Sequence, residues 1–151
     1  MSVEIARVGE SDLDELLPLL RAYCDFYKAS PADEALLALA RVLIGDPECE
    51  GVQLIARTDG NAVGFATIYW SWATTIATRI GVMNDLYVTP EARGTGAADA
   101  LIHACADECR RHGAAELAWQ TATDNARAQR VYDRIGATRS QWVDYALSVR
   151  P

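Results

Sequence analysis

Apolar residues recur with two different periods along the chain, and each change of period separates a predicted strand from a predicted helix. The run from Val3 to Val8 predicts a short first strand. The leucines between Leu13 and Leu20 recur every three or four positions, which predicts a helix. A second helix is predicted over residues 32–44, and the turn Gly45-Asp46-Pro47 ends it.

The middle of the chain is rich in apolar and β-branched residues and predicts three strands, at Val52–Arg57, Ala62–Trp72 and Arg79–Val88. Asp59-Gly60-Asn61 predicts a hairpin turn between the first two of these strands. The helical period then returns, and the remaining predicted elements are a helix at Gly94–His112, a strand at Glu116–Thr121, a helix at Asp124–Ile135 and a strand at Gln141–Val149. This order predicts an α/β (α+β) fold in one domain of residues 1–151, with a mixed sheet, an antiparallel front and helices on its faces.

The composition narrows the classes of partner. The chain has 151 residues, half of them apolar, and a formal net charge of −7, which disfavours nucleic acid and favours cationic partners. The N-terminus shows no basic region followed by an apolar run, and no window approaches roughly 18 unbroken apolar residues, so we expect a cytoplasmic protein without a membrane partner. Cys105 and Cys109 share a helix face without two further ligands, so we predict no metal site.

The most informative segment is the turn between a predicted strand and a predicted helix, at residues 85–98. Gly94 and Gly96 remove side chains where an anion would otherwise meet Cβ atoms. The first amides of a helix lack intrahelical partners, the helix dipole adds positive potential there, and Arg93 can add a charge-assisted bond. Together these features predict a pyrophosphate cradle built from Arg93, Gly94, Thr95, Gly96, Ala97 and Ala98.

Two other phosphate-binding motifs do not match this turn. A P-loop needs a Lys after the glycines, and none follows them here. A dinucleotide-binding fingerprint needs Gly or Ala at its sixth position, where this chain has Asp99. A glycine-rich helix start that binds no ligand is the plainer alternative.

Two blocks of the sequence resemble the signatures of the GNAT superfamily of acetyl-coenzyme A-dependent N-acyltransferases. The first block follows the pattern [Q/R]-x-x-G-x-[G/A] after an Asp-Leu-Tyr-Val lead-in, and it is matched by Arg93, Gly96 and Ala98. The second block, N-x-x-A-x-x-x-Y-x-x-x-G, is matched by Asn125, Ala128, Tyr132 and Gly136. Within the superfamily, residues 84–88 and 119–121 are most similar to the Hpa-type and polyamine (spermidine, thialysine) acetyltransferase branch.

The resemblance implies a fold and a cofactor. It implies a mixed, mainly antiparallel sheet of six to seven strands, about four flanking helices and a splayed central strand pair. It also implies acetyl-CoA as co-substrate, with Leu86, Tyr87 and Val88 pairing through their backbone with its pantetheine arm. Asn125 and Tyr132 are further candidates for cofactor contact, although Asn125 could serve only as a local helix cap.

Acetyl transfer to an amine requires a proton acceptor and stabilisation of the departing thiolate. Tyr132 is the candidate general acid, because a phenol of ordinary pKa about 10 is protonated at neutral pH. Its position in the apolar stripe of a helix also suits a core residue. Asp85 is the nearest acid for the role of base, and it could instead orient backbone or cap a turn. Asn84 stands where some relatives carry Glu.

The acceptor is less determined. Asp85 and the aromatic residues Tyr23, Tyr27, Trp70 and Trp72 are candidates for an acceptor wall, since aromatic faces suit a cationic or alkyl amine. For each of these rings taken alone, packing in the core or in a dimer is favoured over acceptor contact. The predicted reaction is transfer from acetyl-CoA to the primary amine of a small molecule such as a polyamine or amino acid. Two alternatives stay open: a protein or peptide lysine acetyltransferase, and a non-catalytic acyl-CoA-binding module. The resemblance also suggests a homodimer through the C-terminal strands.

Overall fold

The computed structural model describes residues 2–151, and its contacts divide the chain into two compact units, residues 1–120 and Thr121–Pro151. The first unit contains five strands and three helices, which in chain order are β1 (Val3–Arg7), α1 (Leu13–Phe26), α2 (Asp33–Gly45), β2 (Gly51–Thr58), β3 (Asn61–Ala73), β4 (Thr78–Val88), α3 (Ala97–His112) and β5 (Leu117–Ala118). The second unit contains one helix, α4 (Ala126–Arg134). No helix among residues 2–151 is both long and apolar enough to cross a membrane.

The strands form one sheet in the order β1-β2-β3-β4-β5. Neighbours are antiparallel from β1 to β4, and β5 is parallel to β4, so the mixed, mainly antiparallel sheet that was predicted is confirmed. The pairing of β5 with β4 covers only two positions, Gly81 with Leu117 and Val82 with Ala118. Because β4 continues to Val88, the pair separates along the rest of β4, which confirms the splayed central pair.

The prediction of six to seven strands is wrong for the described chain, because the sheet has five. The strand predicted at Glu116–Thr121 is reduced to the two residues of β5, and Gln141–Val149 forms no strand. The alternating apolar side chains of that last segment indicated a strand, but a strand also needs a neighbour for its backbone groups. In residues 138–151 no such pairing forms, and large apolar side chains lie exposed, among them Trp142, Tyr145 and Leu147.

The sheet separates two apolar layers. On one face, α1 and α2 bury their leucines against β2 and β3, in a core cluster that includes Leu16, Leu20, Ala40, Ile55 and Phe65. On the other face lies α3, whose buried residues are Ala97, Leu101, Ile102, Cys105, Glu108 and Cys109. Residues two apart on a strand face the same layer where the pairing is regular, so strand positions away from irregularities in the pairing can be assigned to the α1 side or the α3 side.

One buried carboxylate fastens α3 to the first strand. Glu108 is 4% exposed and accepts two hydrogen bonds from Arg7, at 3.0 and 2.6 Å, and one from Arg111 at 2.7 Å. Burial alone would raise the pKa of Glu108, but the hydrogen bonds from the two guanidinium groups outweigh it and hold that pKa below its ordinary value. The ion pair therefore holds the carboxylate in its charged form and aligns α3 across the sheet.

The packing of α3 on β4 predicts a steric limit at Gly81. A Cβ atom added there would lie 2.5 Å from Cys109 Sγ and 3.1 Å from atoms of Ile68 and Trp70. Gly81→Ala should lower the free energy of unfolding by about 1–3 kcal/mol, measured by urea denaturation. In the double variant Gly81→Ala/Cys109→Ala the new methyl group fills the space that the sulfur leaves, so its loss should be smaller than the sum of the two single losses. Additive losses would contradict the contact.

Candidate active site

The turn after β4 combines three irregular backbone features. Residues Pro90–Ala92 form one turn of 3-10 helix, and Gly94 and Gly96 follow with φ of +78° and +90°. Other residues rarely adopt this left-handed conformation. The Thr95 hydroxyl donates to the Ala92 carbonyl at 2.5 Å and closes the turn. The helix therefore begins at Ala97, three residues later than the Gly94 start predicted from the sequence.

The start of α3 has backbone donors without a partner inside the helix. The amide of Ala100 donates to the Gly96 carbonyl at 3.0 Å, one full turn earlier, whereas the amides of Ala97 and Ala98 come too early in the helix to have such a partner. A Cβ atom added at Gly94 or Gly96 would meet nothing within 4 Å. The backbone is therefore open to close approach, and these residues fit a linked pair of phosphates.

Arg93 supplies the only full positive charge within the turn itself, residues 89–98. Its side chain is exposed, and Nε donates to the Val88 carbonyl at 3.3 Å, which holds the stem beside the end of β4. The guanidinium has further donors that can add charge-assisted bonds to a phosphate. All six residues of the predicted cradle are thus brought together by one turn and the start of one helix.

The strand that leads into this turn has an edge without a neighbouring strand. After Val82, β4 runs through Leu86, Tyr87 and Val88 with no further pairing to β5. Tyr87 packs into the α1-side core, and Val88 is buried. An extended edge of this kind can pair with an amide-containing ligand as it would with another strand.

A buried carboxylate stands on the α1 side of β4. The register of β3 with β4 shifts between Thr67 and Ile68, so that Asn84 forms a bulge and Asp85 pairs with Thr67. Asp85 is 9% exposed, and its Oδ1 accepts a hydrogen bond from Asn84 Nδ2 at 2.9 Å. No basic side chain of residues 2–120 forms an ion pair with it. A buried carboxylate without a cation is costly, which makes Asp85 a candidate to bind one.

Aromatic hydroxyls surround this carboxylate. Tyr23 reaches over from α1, and its hydroxyl donates to the Asn84 carbonyl at 3.2 Å. Burial and the negative charge of Asp85 raise the pKa of Tyr23 well above its ordinary range, and the same two causes raise the pKa of Tyr69 to about 12. Both phenols therefore stay protonated at neutral pH and present hydroxyl donors and ring faces around the carboxylate.

The other predicted wall residues lie in different places. Tyr27 is 53% exposed and contacts the Tyr23 ring edge-on, with 5.1 Å between the ring centroids. Trp70 faces the α3 layer, where its ring stacks on that of His112 with 3.9 Å between the ring centroids. Its Nε1 donates a hydrogen bond to the Pro47 carbonyl. Trp72 is exposed near the end of β3, beneath the guanidinium of Arg79. The structure therefore brings Tyr23 to Asp85 and Tyr27 to the ring of Tyr23, and Trp70 points to the opposite face of the sheet.

Tyr69 was missed by the sequence interpretation. It lies on the same face of β3 as Phe65 and Thr67, four and two residues away, so the strand alternation carried the signal. That signal could be used only once the partner strand was known, because the bulge at Asn84 decides which residue of β4 faces Tyr69.

Asn125 and Tyr132 belong to the second unit. Asn125 is the N-cap of α4, and its side chain accepts a hydrogen bond from the Ala128 amide at 3.2 Å. The helix predicted over Asp124–Ile135 therefore begins two residues later, at Ala126. Tyr132 is half-buried on α4, and its carbonyl accepts from the Ala137 amide at 3.1 Å where the helix ends.

Comparisons with known proteins identify relatives over nearly the whole chain. The Acetyltransferase (GNAT) family matches residues 13–137. An uncharacterized N-acetyltransferase of Bacillus subtilis (strain 168), YhfO, is 30% identical and the match covers 97% of this chain and 98% of YhfO. The thialysine N-epsilon-acetyltransferase of Bos taurus is 27% identical, over 89% of this chain and 84% of that protein. The crystal structure of a probable acetyltransferase superposes with a TM-score of 0.85 at 28% identity, over 98% of this chain and 99% of the other.

A side chain added at either left-handed glycine of the turn should lower the free energy of unfolding. Gly96→Ala should lower the free energy of unfolding by about 1–2 kcal/mol, because alanine is strained at a φ of +90° even where space is open. The matched control is Gly45→Ala, at the end of α2, where nothing lies within 4 Å and φ is not positive. Thermal or urea unfolding should show the control at or above the wild-type stability. Equal losses in both variants would show that φ is not the cause.

Proposed function

The chain belongs to the acetyltransferase (GNAT) family and is an N-acetyltransferase, and from this premise we propose that it transfers the acetyl group of acetyl-CoA directly to the primary amine of a small cationic molecule, such as a polyamine or an amino acid. The observation that carries this proposal is Asp85, a carboxylate that is 9% exposed, has no basic partner in residues 2–120 and is flanked by tyrosines. An ammonium group would supply the missing charge.

The cofactor side of the proposal uses backbone groups. The amides of Gly94 to Ala98 and the guanidinium of Arg93 bind the pyrophosphate, and the edge of β4 at Leu86–Val88 binds the pantetheine arm. The thioester of acetyl-CoA supplies the acetyl group. An amide of β4 near Leu86 donates to the carbonyl oxygen, where negative charge develops during transfer. In the second unit, Asn125 and Tyr132 are the proposed further contacts.

The acceptor side uses Asp85 and its tyrosines. Asp85 binds the ammonium group, takes a proton from it and so frees the nitrogen lone pair for attack on the acetyl carbonyl. The ring faces of Tyr23 and Tyr69 favour a cation next to the carboxylate, and Tyr27 extends the aromatic wall. Because Tyr23 covers the carboxylate from α1, a compact amine fits this site better than a side chain presented by a folded protein.

The leaving group also needs a proton. As the new N–C bond forms and the C–S bond breaks, the sulfur becomes a thiolate, and the Tyr132 hydroxyl donates a proton to it. The acylated nitrogen then loses its second proton, which returns to the Tyr132 phenolate, so that of the two protons lost by the ammonium one ends on Asp85 and the other, by way of Tyr132, on coenzyme A.

An amine panel tests the proposed function. Release of coenzyme A from acetyl-CoA should be measured with polyamines, amino acids, aminoglycosides and lysine-containing peptides, and we expect turnover with small amines that are cationic at neutral pH. Asp85→Asn should lower kcat/KM for the best amine by about 100-fold or more, since it removes the base and half of the ion pair. The matched control is Asp59→Asn, in the exposed turn between β2 and β3, which should be unchanged.

Three outcomes would contradict parts of the proposal. Binding of acetyl-CoA without turnover of any amine would support a non-catalytic module. Preference for peptides over small amines would support a protein acetyltransferase. An Asp85→Asn variant that keeps the wild-type acidic limb of its pH–rate profile would remove Asp85 from the role of base.

The role of Tyr132 predicts a separate signature. Tyr132→Phe should lower kcat at least about tenfold while the dissociation constant for acetyl-CoA, measured by calorimetry, changes little, because the phenol acts on the thiolate that forms only during the reaction. Tyr145→Phe, in the exposed C-terminal segment, makes the same chemical change as a control. Unchanged turnover in Tyr132→Phe would remove it from the role of acid.

A further inference from the structure

Three buried polar side chains form a single row across the sheet. Gln53 on β2 pairs with Thr67 on β3, and Thr67 pairs with Asp85 on β4. The three residues are 4%, 0% and 9% exposed. Glu108 is the fourth buried polar or charged residue among residues 2–151, and its two arginine partners account for it.

The neighbouring row on the same face is apolar or aromatic. Ile55, Phe65 and Tyr87 occupy the same three strands two residues along, and all three belong to the core or pack against it. Valine or isoleucine at Gln53 and Thr67 would extend that core without the cost of burying polar groups. Two polar side chains beside a buried carboxylate therefore point to a role connected with the carboxylate.

The hydrogen bond between Gln53 and Thr67 shows which of the two side chains is the donor. Gln53 Nε2 donates to Thr67 Oγ1 at 3.2 Å, so one lone pair of the hydroxyl is used and its proton is left for another acceptor. On the other side of β3, Thr67 is paired with Asp85 of β4. The two side chains make no direct hydrogen bond, and a single water can bridge such cross-strand neighbours.

We propose that Thr67 and Gln53 are positioning residues for Asp85: Gln53 orients the Thr67 hydroxyl, and Thr67 donates through a bridging water to the carboxylate. This inference rests on the proposed function for its catalytic meaning. The donor favours the ionised carboxylate and holds it towards the acceptor amine.

The far end of the row reaches a small cavity. Gln53 Oε1 is buried without a hydrogen-bond partner, and Gln53 lines a cavity of about 110 Å³ together with Arg7, Leu43 and Pro47. That volume accommodates a few waters, since each takes roughly 30 Å³ in the liquid. A water in this cavity would complete the amide's hydrogen bonds and fix its orientation, so that the Nε2 atom faces Thr67.

Other groups also face Asp85 and share in its electrostatics. From α1 these are Tyr23 and Cys24, from β3 Tyr69, and from β4 Asn84, whose amide donates to Oδ1. None of the three titratable groups carries a positive charge, so within residues 2–120 hydrogen-bond donors are the groups that can favour a charged carboxylate at this position. Removing one donor should therefore have a measurable effect.

The test is a titration of the Asp85 carboxyl carbon by 13C NMR, on the full chain without acetyl-CoA. Thr67→Val has nearly the same shape without the hydroxyl, and the midpoint of the Asp85 signal should move upward by about one pH unit. Thr67→Ser restores the hydroxyl and should return the midpoint to the wild-type value. The matched control is Thr58→Val on β2, whose buried hydroxyl has no partner and no link to Asp85; its midpoint should not move.

A folded Thr67→Val protein with the wild-type midpoint would overturn the proposal. If that variant does not fold, Gln53→Met takes its place, because it keeps the length of the side chain but cannot orient the hydroxyl. The midpoint should rise in Gln53→Met by a smaller amount than expected for Thr67→Val, and an unchanged midpoint there would overturn the proposal as well.

The acidic limb of kcat/KM should follow the NMR midpoint in each variant. A shifted NMR midpoint in a protein that acetylates no amine would leave the positioning role intact and refute the proposed function alone.

Discussion

The separation of β5 from β4 after Val82 is the constraint on which the site depends. A strand in the middle of a sheet normally has its backbone groups taken up on both sides. Here β4 continues for six residues, 83–88, beyond its last pairing with β5, and the chain then passes directly into a turn whose first helical amides also lack intrahelical partners. Two consecutive stretches of backbone are thus available to one elongated ligand, and the side chains around them mainly keep this geometry in place.

The parts of the site that follow from local chemistry could be predicted from the sequence. Gly94 and Gly96 need no tertiary information, because left-handed turns and helix starts are properties of a few adjacent residues. The structure corrected only the first residue of the helix, which is Ala97. The strand predicted at Gln141–Val149 shows the limit of this reasoning. Its alternating pattern satisfies one requirement of a strand, but a strand also needs a neighbouring strand, and the sequence of the segment does not say whether one is available.

The acceptor side depends on contacts between distant parts of the chain. Tyr23 reaches Asn84 across 61 positions, and the bulge at Asn84 decides that Asp85 faces α1 and Thr67. Trp70 illustrates the same point, since the parity of its position on β3 directs it to the α3 layer. The carboxylate, the tyrosines and the Gln53–Thr67 pair form one polar region within an apolar layer, and the acidic surface expected from a net charge of −7 would draw cationic amines towards it.

The central claim is that unpaired backbone of β4 binds the pantetheine arm of coenzyme A and that unpaired backbone at the start of α3 binds its pyrophosphate. Amide proton–nitrogen NMR shifts, compared on adding coenzyme A and on adding phosphate-free pantetheine, test it most directly. Coenzyme A should shift the amides of Leu86–Val88 and of Gly94–Ala98, whereas pantetheine should shift only those of Leu86–Val88. If coenzyme A binds and the amides of Gly94 to Ala98 do not move, the phosphates lie elsewhere and the claim is wrong.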